Sequence, residues 1–104
     1  MTIDVHDDPG RHRYEVAEDG VVVGFVTHRL AGPVIDFLHA EVDPGHGGRG
    51  LAGRLVSGAL DDARARGLGV LPHCPYARHY IDGHREQYLV LVPLDRRAEF
   101  GWED

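Results

Sequence analysis

Three glycines fall within four residues just before a predicted helix, at Gly47, Gly48 and Gly50. They follow an apolar stretch at residues 34–42, which is the order of a phosphate-binding strand, loop and helix. Glycine lets the backbone approach an anion closely and adopts a positive φ at little cost. The first free N–H groups of the helix would point at the ligand, aided by the positive end of the helix dipole. The pattern therefore indicates an anion site, with a glycine-rich turn that binds nothing as the alternative.

Two pairs of polar side chains are spaced so that their members act together. His39 and Glu41 are two residues apart on a predicted strand and so project to the same side. An imidazole or a carboxylate there can accept a proton, although either residue could be an ordinary surface or half-buried position. Tyr76 and Tyr80 are one helical turn apart and share a face. Packing residues whose hydroxyls bond locally are the alternative for the two tyrosines.

Cys74 is the only cysteine, so no internal disulfide can form and a reducing compartment fits. It lies after a predicted strand and just before a predicted helix, where the positive helix end favours a reactive thiolate. It could be a nucleophile, or it could line a ligand channel or fill the core as a small hydrophobic residue. His73 projects to the opposite side of an extended strand, which argues against a Cys–His pair. His79 and His84 complete a cluster without the spacing of a zinc site, so no metal is predicted.

The composition narrows the class of protein. A chain of 104 residues, 42% hydrophobic and 27% charged, is typical of one globular domain. The formal charge of −6 argues against a nucleic-acid partner. It suits a cationic small partner such as an amine, or it merely keeps the chain dispersed. The longest stretch without a charged residue or a histidine, residues 20–27, is far too short to span a membrane, and the acidic start does not resemble a signal peptide. The predicted location is cytoplasmic, with no membrane partner.

The elements that would position these residues begin with a sheet. Residues 1–10 are polar and acidic and are predicted to be a flexible leader. Asp19-Gly20 predicts a hairpin turn, because this pair supplies the positive φ values that such turns need. Gly24 inside the next apolar run suggests a bulge or a close approach of another chain segment. An antiparallel meander is therefore predicted, with strands at residues 11–17, 21–27 and 34–42.

A strand-helix-strand crossover follows. Apolar residues recur at the helical period over residues 50–66, and Gly67 is the expected C-terminal cap. The next strand, at residues 68–74, would lie parallel to the third strand through a right-handed crossover. Pro72 cannot donate to a ladder, so the pairing should loosen near it.

The remaining elements complete a predicted α/β (α+β) fold with a mixed sheet. A short second helix is predicted at residues 75–84 and a final strand at residues 88–92. Gly53 and Gly58 weaken the first helix and are interpreted as points of close packing against the sheet. The tail at residues 95–104 either docks Phe100 and Trp102 on the body or leaves them exposed.

The order of elements and the central loop resemble the Gcn5-related N-acetyltransferase (GNAT) superfamily, which carries an Arg/Gln-x-x-Gly-x-Gly/Ala loop between a strand and a helix. The matching run is Gly47-Gly48-Arg49-Gly50-Leu51-Ala52. More narrowly, the chain is similar to the small single-domain YjdJ-like acetyltransferases over about residues 12–92. Those proteins share the Asp-Gly hairpin, a strand ending like His39-Ala40-Glu41-Val42, and a segment like Pro72-His73-Cys74-Pro75-Tyr76. One departure is Gly47, which stands where Arg or Gln is usual.

The resemblance implies acetyl-coenzyme A (acetyl-CoA) as the cosubstrate and a primary amine, on a small molecule or a protein, as the acceptor. The thioester would lie near Val42 and Cys74, where the two parallel strands part. Cys74 would either carry the acetyl group in a two-step route or line the channel for the pantetheine arm. Glu41 or His39 would take the proton of the amine, and Tyr76 or Tyr80 would protonate the departing sulfur. The diphosphate would lie on the backbone amides of the loop residues Gly47, Gly48, Arg49, Gly50, Leu51 and Ala52.

The leading hypothesis is therefore an N-acetyltransferase in a single domain at residues 11–94, as a monomer or weak homodimer. The first alternative is a CoA-binding module without catalysis, which Gly47 would favour by weakening the phosphate loop. The second is a protein-interaction domain that uses Phe100 and Trp102 of the tail.

Overall fold

The computed structural model describes residues 2–46 and 50–102. In these residues five strands form one sheet in sequential order. Neighbouring strands are antiparallel, except that β4 and β5 are parallel. The predicted meander and crossover are thus confirmed. The strands are β1 (Ile3–Asp8), β2 (Arg13–Glu18), β3 (Val21–Ala31), β4 (Val34–Val42) and β5 (Gly69–Pro72), and the α-helices are α1 (Leu51–Ala65), α2 (Pro75–Gly83) and α3 (Arg85–Tyr88).

The first hairpin forms where the sequence predicts it. Asp19 and Gly20 have φ values of 51° and 85°, in the left-handed region that the Asp-Gly turn needs. The predicted irregularity near Gly24 is also present, since the β2–β3 register shifts beside it. A Cβ atom on Gly24 would lie 3.0 Å from the carbonyl oxygen of Glu41, so only glycine lets β3 and β4 approach this closely.

The start of the chain was predicted wrongly as a flexible leader. Residues 3–8 instead form β1, which pairs with β2 from Ile3 opposite Glu18 to Asp8 opposite Arg13. Apolar and polar residues alternate in this segment, which is typical of a strand, and Ile3 and Val5 pack against the core. The prediction missed this alternation because the segment is acidic overall. The sheet therefore gains an edge strand whose polar residues face outward.

Helix α1 covers one face of the sheet with a continuous apolar stripe. It begins and ends one residue inside the predicted bounds, and Gly67 follows it at φ 70° as the expected C-terminal cap. On the opposite face the described strands carry charged side chains instead, among them His6, Glu15 and Arg13, which are joined by hydrogen bonds. The buried stripe of α1 consists of Leu51, Leu55, Val56, Ala59, Leu60 and Ala63.

The predicted final strand at residues 88–92 does not form. Tyr88 ends α3, and residues 89–91 make a 3₁₀ turn. Two long-range groups impose this conformation. The Tyr88 hydroxyl donates to Asp61 at 2.8 Å, and the Arg97 guanidinium donates to the carbonyl oxygens of Leu89 and Val92 at 3.0 Å. These carbonyls are satisfied by a side chain, so the apolar run has no need of a ladder.

The tail docks on the body. Phe100 and Trp102 are 6% and 3% exposed, and a 3₁₀ segment at residues 94–100 carries them there. The Trp102 indole donates to Asp82 at 2.9 Å, and this bond together with Arg85 lowers the pKa of the Asp82 carboxyl. No helix in the described parts of the chain is long and apolar enough to cross a membrane.

The two helical glycines give a matched pair for testing the packing of α1. A Cβ atom on Gly58 would lie 2.8 Å from Val5 Cγ1, whereas one on Gly53 would lie 3.6 Å from Tyr80 Cε1. We expect Gly58→Ala to lower the free energy of unfolding by about 1–2 kcal/mol, because overpacking exceeds the gain in helix propensity. Gly53→Ala should raise it by up to about 1 kcal/mol.

Urea unfolding measures both variants, and the destabilisation by Gly58→Ala should be smaller in a Val5→Gly background, which removes the Cβ and both Cγ atoms that crowd the added methyl group. Equal effects of the two alanines would contradict the close approach of β1 to α1.

Candidate active site

Strands β4 and β5 separate halfway along β4. They pair from Val34 opposite Gly69 to Phe37 opposite Pro72. One further bond closes the ladder, from the Cys74 N–H to the Phe37 carbonyl oxygen at 2.7 Å. Beyond it β4 continues through residues 38–42, and within the described residues no strand pairs with that edge. We call the opening between this edge and the start of α2 the gap.

Two local features open the gap. Pro72 has no N–H to donate, as the sequence predicts, so the ladder cannot continue normally past it. On β4 the register with β3 shifts between Thr27 and His28, which leaves Leu38 as the extra residue of a bulge. A bulge bends and twists its strand. The bend falls at the residue after the last pair with β5, and this coincidence directs the end of β4 away from β5.

Backbone groups of β4 point into the gap. Asp43 donates its N–H to the Val23 carbonyl oxygen of β3 at 2.7 Å. Since the direction of backbone groups alternates along an antiparallel strand, those of Val42 and Ala40 point away from β3. The gap is therefore lined by N–H and C=O groups that an extended ligand can pair with, as a strand would.

The N-terminus of α1 has the form that the predicted anion site requires. Gly50 is its N-cap, at φ 70° and ψ 19°, and contributes no capping side chain. The first intrahelical bond is donated by the Arg54 N–H to the Gly50 carbonyl oxygen at 3.0 Å. The preceding N–H groups, those of Leu51 to Gly53, have no intrahelical acceptor. The other predicted loop residues, Gly47, Gly48 and Arg49, lie outside the described residues.

His39 and Glu41 lie on the same side of β4, as their spacing predicts, on the face opposite α1. The His39 Nε2 atom is 3.0 Å from Glu41 Oε2, and both side chains are more than 60% exposed. The Phe25 ring lies beside His39, and the Arg13 guanidinium lies 4.5 Å from the centre of the Phe25 ring. A surface cavity of about 500 Å³ is bordered by Arg13, Phe25, Glu41 and Val42. The catalytic role of His39 and Glu41 stays a prediction.

Cys74 is fully buried. Its exposed fraction is 0%, it belongs to the hydrophobic core, and its backbone occupies the N-cap of α2. Of the alternatives that the sequence leaves open, this burial favours packing at the closed end of the gap. A nucleophilic thiol would need access that the folded chain does not give it.

The two tyrosines of α2 have different surroundings. Tyr76 is 53% exposed. Tyr80 is partly buried, stacks on His84 with ring centres 4.1 Å apart, and lies 5.8 Å from the Tyr88 ring. Its Cε1 atom also approaches Gly53 in the first turn of α1. Tyr80 is therefore the tyrosine that lies between the two helices bordering the gap.

A carboxylate–imidazole pair that sequence reasoning missed lies at the closed end of the gap. Asp36 of β4 is only 6% exposed, and its Oδ1 atom is 2.7 Å from Nδ1 of His73. The available signal was an acidic residue between Ile35 and Phe37 in an otherwise buried stretch. Within the described residues, no group of three or more His, Cys, Asp or Glu side chains is arranged to hold a metal ion.

A bulged strand that parts from its parallel neighbour, followed by a helix with a glycine N-cap, defines the class of this protein. The family model of GCN5-related N-acetyltransferases matches residues 13–91. The chain therefore belongs to that family and is an acetyltransferase by class. Comparison with curated protein sequences gave no match.

Solved structures share the fold. A GCN5-like protein from Staphylococcus aureus, solved by NMR, is 17% identical with a TM-score of 0.64, over 86% of this chain and 87% of that one. The crystal structure of a ribosomal-protein-alanine N-acetyltransferase from Brucella melitensis is 27% identical with a TM-score of 0.53, over 78% of this chain and 61% of that one. N-acetylglutamate synthase from Neisseria gonorrhoeae is 18% identical with a TM-score of 0.50, over 65% of this chain and 18% of that one. The chain thus spans less than two thirds of the last two proteins.

The burial of Cys74 predicts a protected thiol. We expect a chromogenic disulfide reagent to react with the native protein at least about 100-fold more slowly than with the urea-unfolded chain, because opening must precede reaction. The matched control is Ala65→Cys in a Cys74→Ala background, which places a thiol on an exposed helical position and should react at once. Equal rates for the native and unfolded wild-type chains would show that the thiol is open to solvent.

Proposed function

We propose that the protein is an acetyl-CoA-dependent N-acetyltransferase that moves an acetyl group to a primary amine by direct attack on the thioester. One observation carries the proposal: the open edge of β4 leads from the glycine N-cap of α1 to the point where β4 and β5 meet. This path joins an anion site to a slot for an extended chain, and acetyl-CoA has the matching order of diphosphate, pantetheine arm and thioester.

The diphosphate binds at the first turn of α1. The N–H groups of Leu51, Ala52 and Gly53 and the positive end of the helix dipole supply the attraction. Gly50 at φ 70° turns the loop into the helix without a Cβ atom in the way. The Neisseria synthase was crystallised with coenzyme A and N-acetyl-glutamate, which accords with coenzyme A as the ligand of this fold.

The pantetheine arm lies in the gap, where it takes the place of a missing strand. The N–H groups of Val42 and Ala40 donate to its amides and to the thioester oxygen, whose negative charge grows as the amine attacks. Cys74 packs beneath the arm and carries no acetyl group. The Tyr80 hydroxyl, between α1 and α2, protonates the departing sulfur.

The acceptor approaches from the face opposite α1. That side of β4 presents Glu41 and His39, and the cavity beside them is bordered by the Phe25 ring. The Glu41 carboxylate attracts an ammonium group. The net charge of −6 acts in the same direction over longer distances.

A CoA-binding module without catalysis is the second candidate, and Gly47 favours it. The arginine or glutamine usual at this loop position would add a side chain near the diphosphate, and this chain lacks it. The protein-interaction alternative loses its basis, since Phe100 and Trp102 are buried. The release of free thiol from acetyl-CoA, measured with a panel of primary amines, separates the enzyme from the binding module.

Binding at α1 is tested by a charge placed in its first turn. Ala52→Glu should weaken coenzyme A binding at least about tenfold, because the carboxylate repels the diphosphate, while the melting temperature holds or rises, because an acidic group suits a helix start. Gly50→Glu is less informative, since φ 70° strains any side chain there.

Calorimetric titration with coenzyme A measures the effect. Gln87→Glu, an equal charge change at an exposed position after α2, is the matched control and should keep the wild-type affinity. Unaltered binding by Ala52→Glu would place the diphosphate elsewhere.

Direct attack on the thioester predicts that Cys74→Ala keeps measurable turnover. The expected loss is in stability, about 1 kcal/mol for the removed buried sulfur, and thermal melting beside the thiol-release assay separates the two effects. Abolished turnover with normal folding and coenzyme A binding would support the covalent route instead.

A further inference from the structure

We propose that His73 is the general base that takes the proton of the acceptor amine, and that the buried carboxylate of Asp36 positions it. The assignment rests on the proposed function. It gives a role to the one carboxylate–imidazole pair at the closed end of the gap, in the part of the chain that the structure describes.

The geometry fixes which nitrogen is free to act. Asp36 alternates with the inward-facing Ile35 and Phe37, so its side chain lies on the face opposite α1 and is nevertheless 6% exposed. A carboxylate so far from water needs a donor, and the His73 Nδ1 atom lies 2.7 Å away. The proton therefore sits on Nδ1, and Nε2 keeps the lone pair that a base requires.

The position of His73 fits the reacting atoms. It lies between Pro72, the last residue of β5 paired with β4, and Cys74, whose N–H closes the ladder on Phe37. Its side chain is directed to the face from which the acceptor enters and is 43% exposed. The gap runs for five residues of β4, about 17 Å at the rise of a strand, which is comparable to an extended pantetheine arm. A diphosphate at α1 thus delivers the thioester to the neighbourhood of His73.

The surroundings of the imidazole suit proton transfer. Besides Asp36 from β4, Glu99 from the C-terminal segment faces it, with Oε1 3.8 Å from Nε2. Arg29 lies 3.8 Å from Asp36, and Arg96 is hydrogen-bonded to Glu99. The Phe100 ring packs edge-on against the imidazole with centres 5.0 Å apart. Carboxylates therefore lie on two sides of the ring that accepts the proton of the amine.

The pair of His39 and Glu41 differs from the Asp36–His73 pair in its exposure and in its lack of a buried partner. Both side chains are more than 60% exposed, and each is the other's partner. Neither is held by a buried group, so this pair suits attraction of a cationic amine, whereas the Asp36–His73 pair is oriented before the substrate arrives.

The amine lone pair forms a C–N bond at the thioester carbon, and a proton on that nitrogen passes to His73 Nε2. The tetrahedral intermediate collapses, the C–S bond breaks, and the sulfur takes a proton from Tyr80. Water carries the proton of His73 back to Tyr80, so one amine and one acetyl-CoA give one amide and one thiol.

The first test is kinetic. His73→Gln should lower kcat at least about 100-fold, the lower range for general-base catalysis, with the KM for acetyl-CoA and the Kd for coenzyme A unchanged. The dependence of kcat/KM on pH should also differ between the variant and the wild type, which a loss of packing alone would not cause. His79→Gln, the same change at an exposed position on α2, is the matched control and should behave as the wild type.

The second test addresses Asp36. Long-range ¹H–¹⁵N spectra of the wild type should show the His73 ring protonated on Nδ1, and Asp36→Asn should move that proton to Nε2, because the amide can donate to Nδ1. Asp36→Asn should lower kcat at least about tenfold. Its melting temperature should stay close to that of the wild type, because the amide keeps a hydrogen bond to the ring.

The outcomes are distinct. If the wild type binds coenzyme A and turns over but His73→Gln keeps its rate or its pH profile, the assignment of His73 is overturned and the proposed function stands. A wild-type ring protonated on Nε2 would also overturn it. If the wild type releases no thiol with any amine of the panel, the proposed function and the assignment fail together.

Discussion

The structure depends on the loss of pairing between β4 and β5. Parallel strands in a small sheet normally pair along their shared length, and leaving an edge open costs backbone hydrogen bonds. This chain opens the edge with two local devices, a proline that cannot donate at residue 72 and a bulge at Leu38. Because the two devices face each other across the ladder, the strands separate at one defined point. The helix dipole of α1, the backbone groups of Val42 and the Asp36–His73 pair then all lie along or at the ends of one opening.

The rest of the molecule holds the walls of that opening in place. Helix α1 is held against the sheet by a stripe of small and branched residues and by the close approach of Gly58 to Val5. On the other side of the gap, α2 is held by Ile81 in the core and by the bond from Trp102 to Asp82. The C-terminal segment thus has a structural task, since it fixes the helix that forms one wall of the gap. A chain of 104 residues has little core to spare, so the C-terminal segment both adds Phe100 and Trp102 to the core and holds α2.

The sequence predicts the parts of the fold that local chemistry governs. Asp19-Gly20 favours a hairpin turn, Pro72 has no N–H to donate to a ladder, and the apolar period of residues 51–65 favours a helix. Each of these signals depends little on residues distant in sequence. Two predictions were wrong, one based on the composition of residues 1–10 and one on the short apolar run at residues 88–92, because partners distant in sequence decided both conformations. The acidic first segment became a strand once β2 offered an edge, and the apolar run at residues 88–92 became a turn once Arg97 bonded its carbonyl oxygens.

The candidate site likewise has features that local chemistry sets and features that distant partners set. The sequence by itself determined that a helix opens at Gly50 and that His39 and Glu41 share one side of a strand, because each follows from local spacing along the chain. Only the tertiary structure decided that Cys74 is buried, that Tyr80 and not Tyr76 lies between the helices, and that Asp36 meets His73. Those outcomes depend on which elements pack together, and burial and pairing between residues tens of positions apart are properties of the packed chain that no local pattern records.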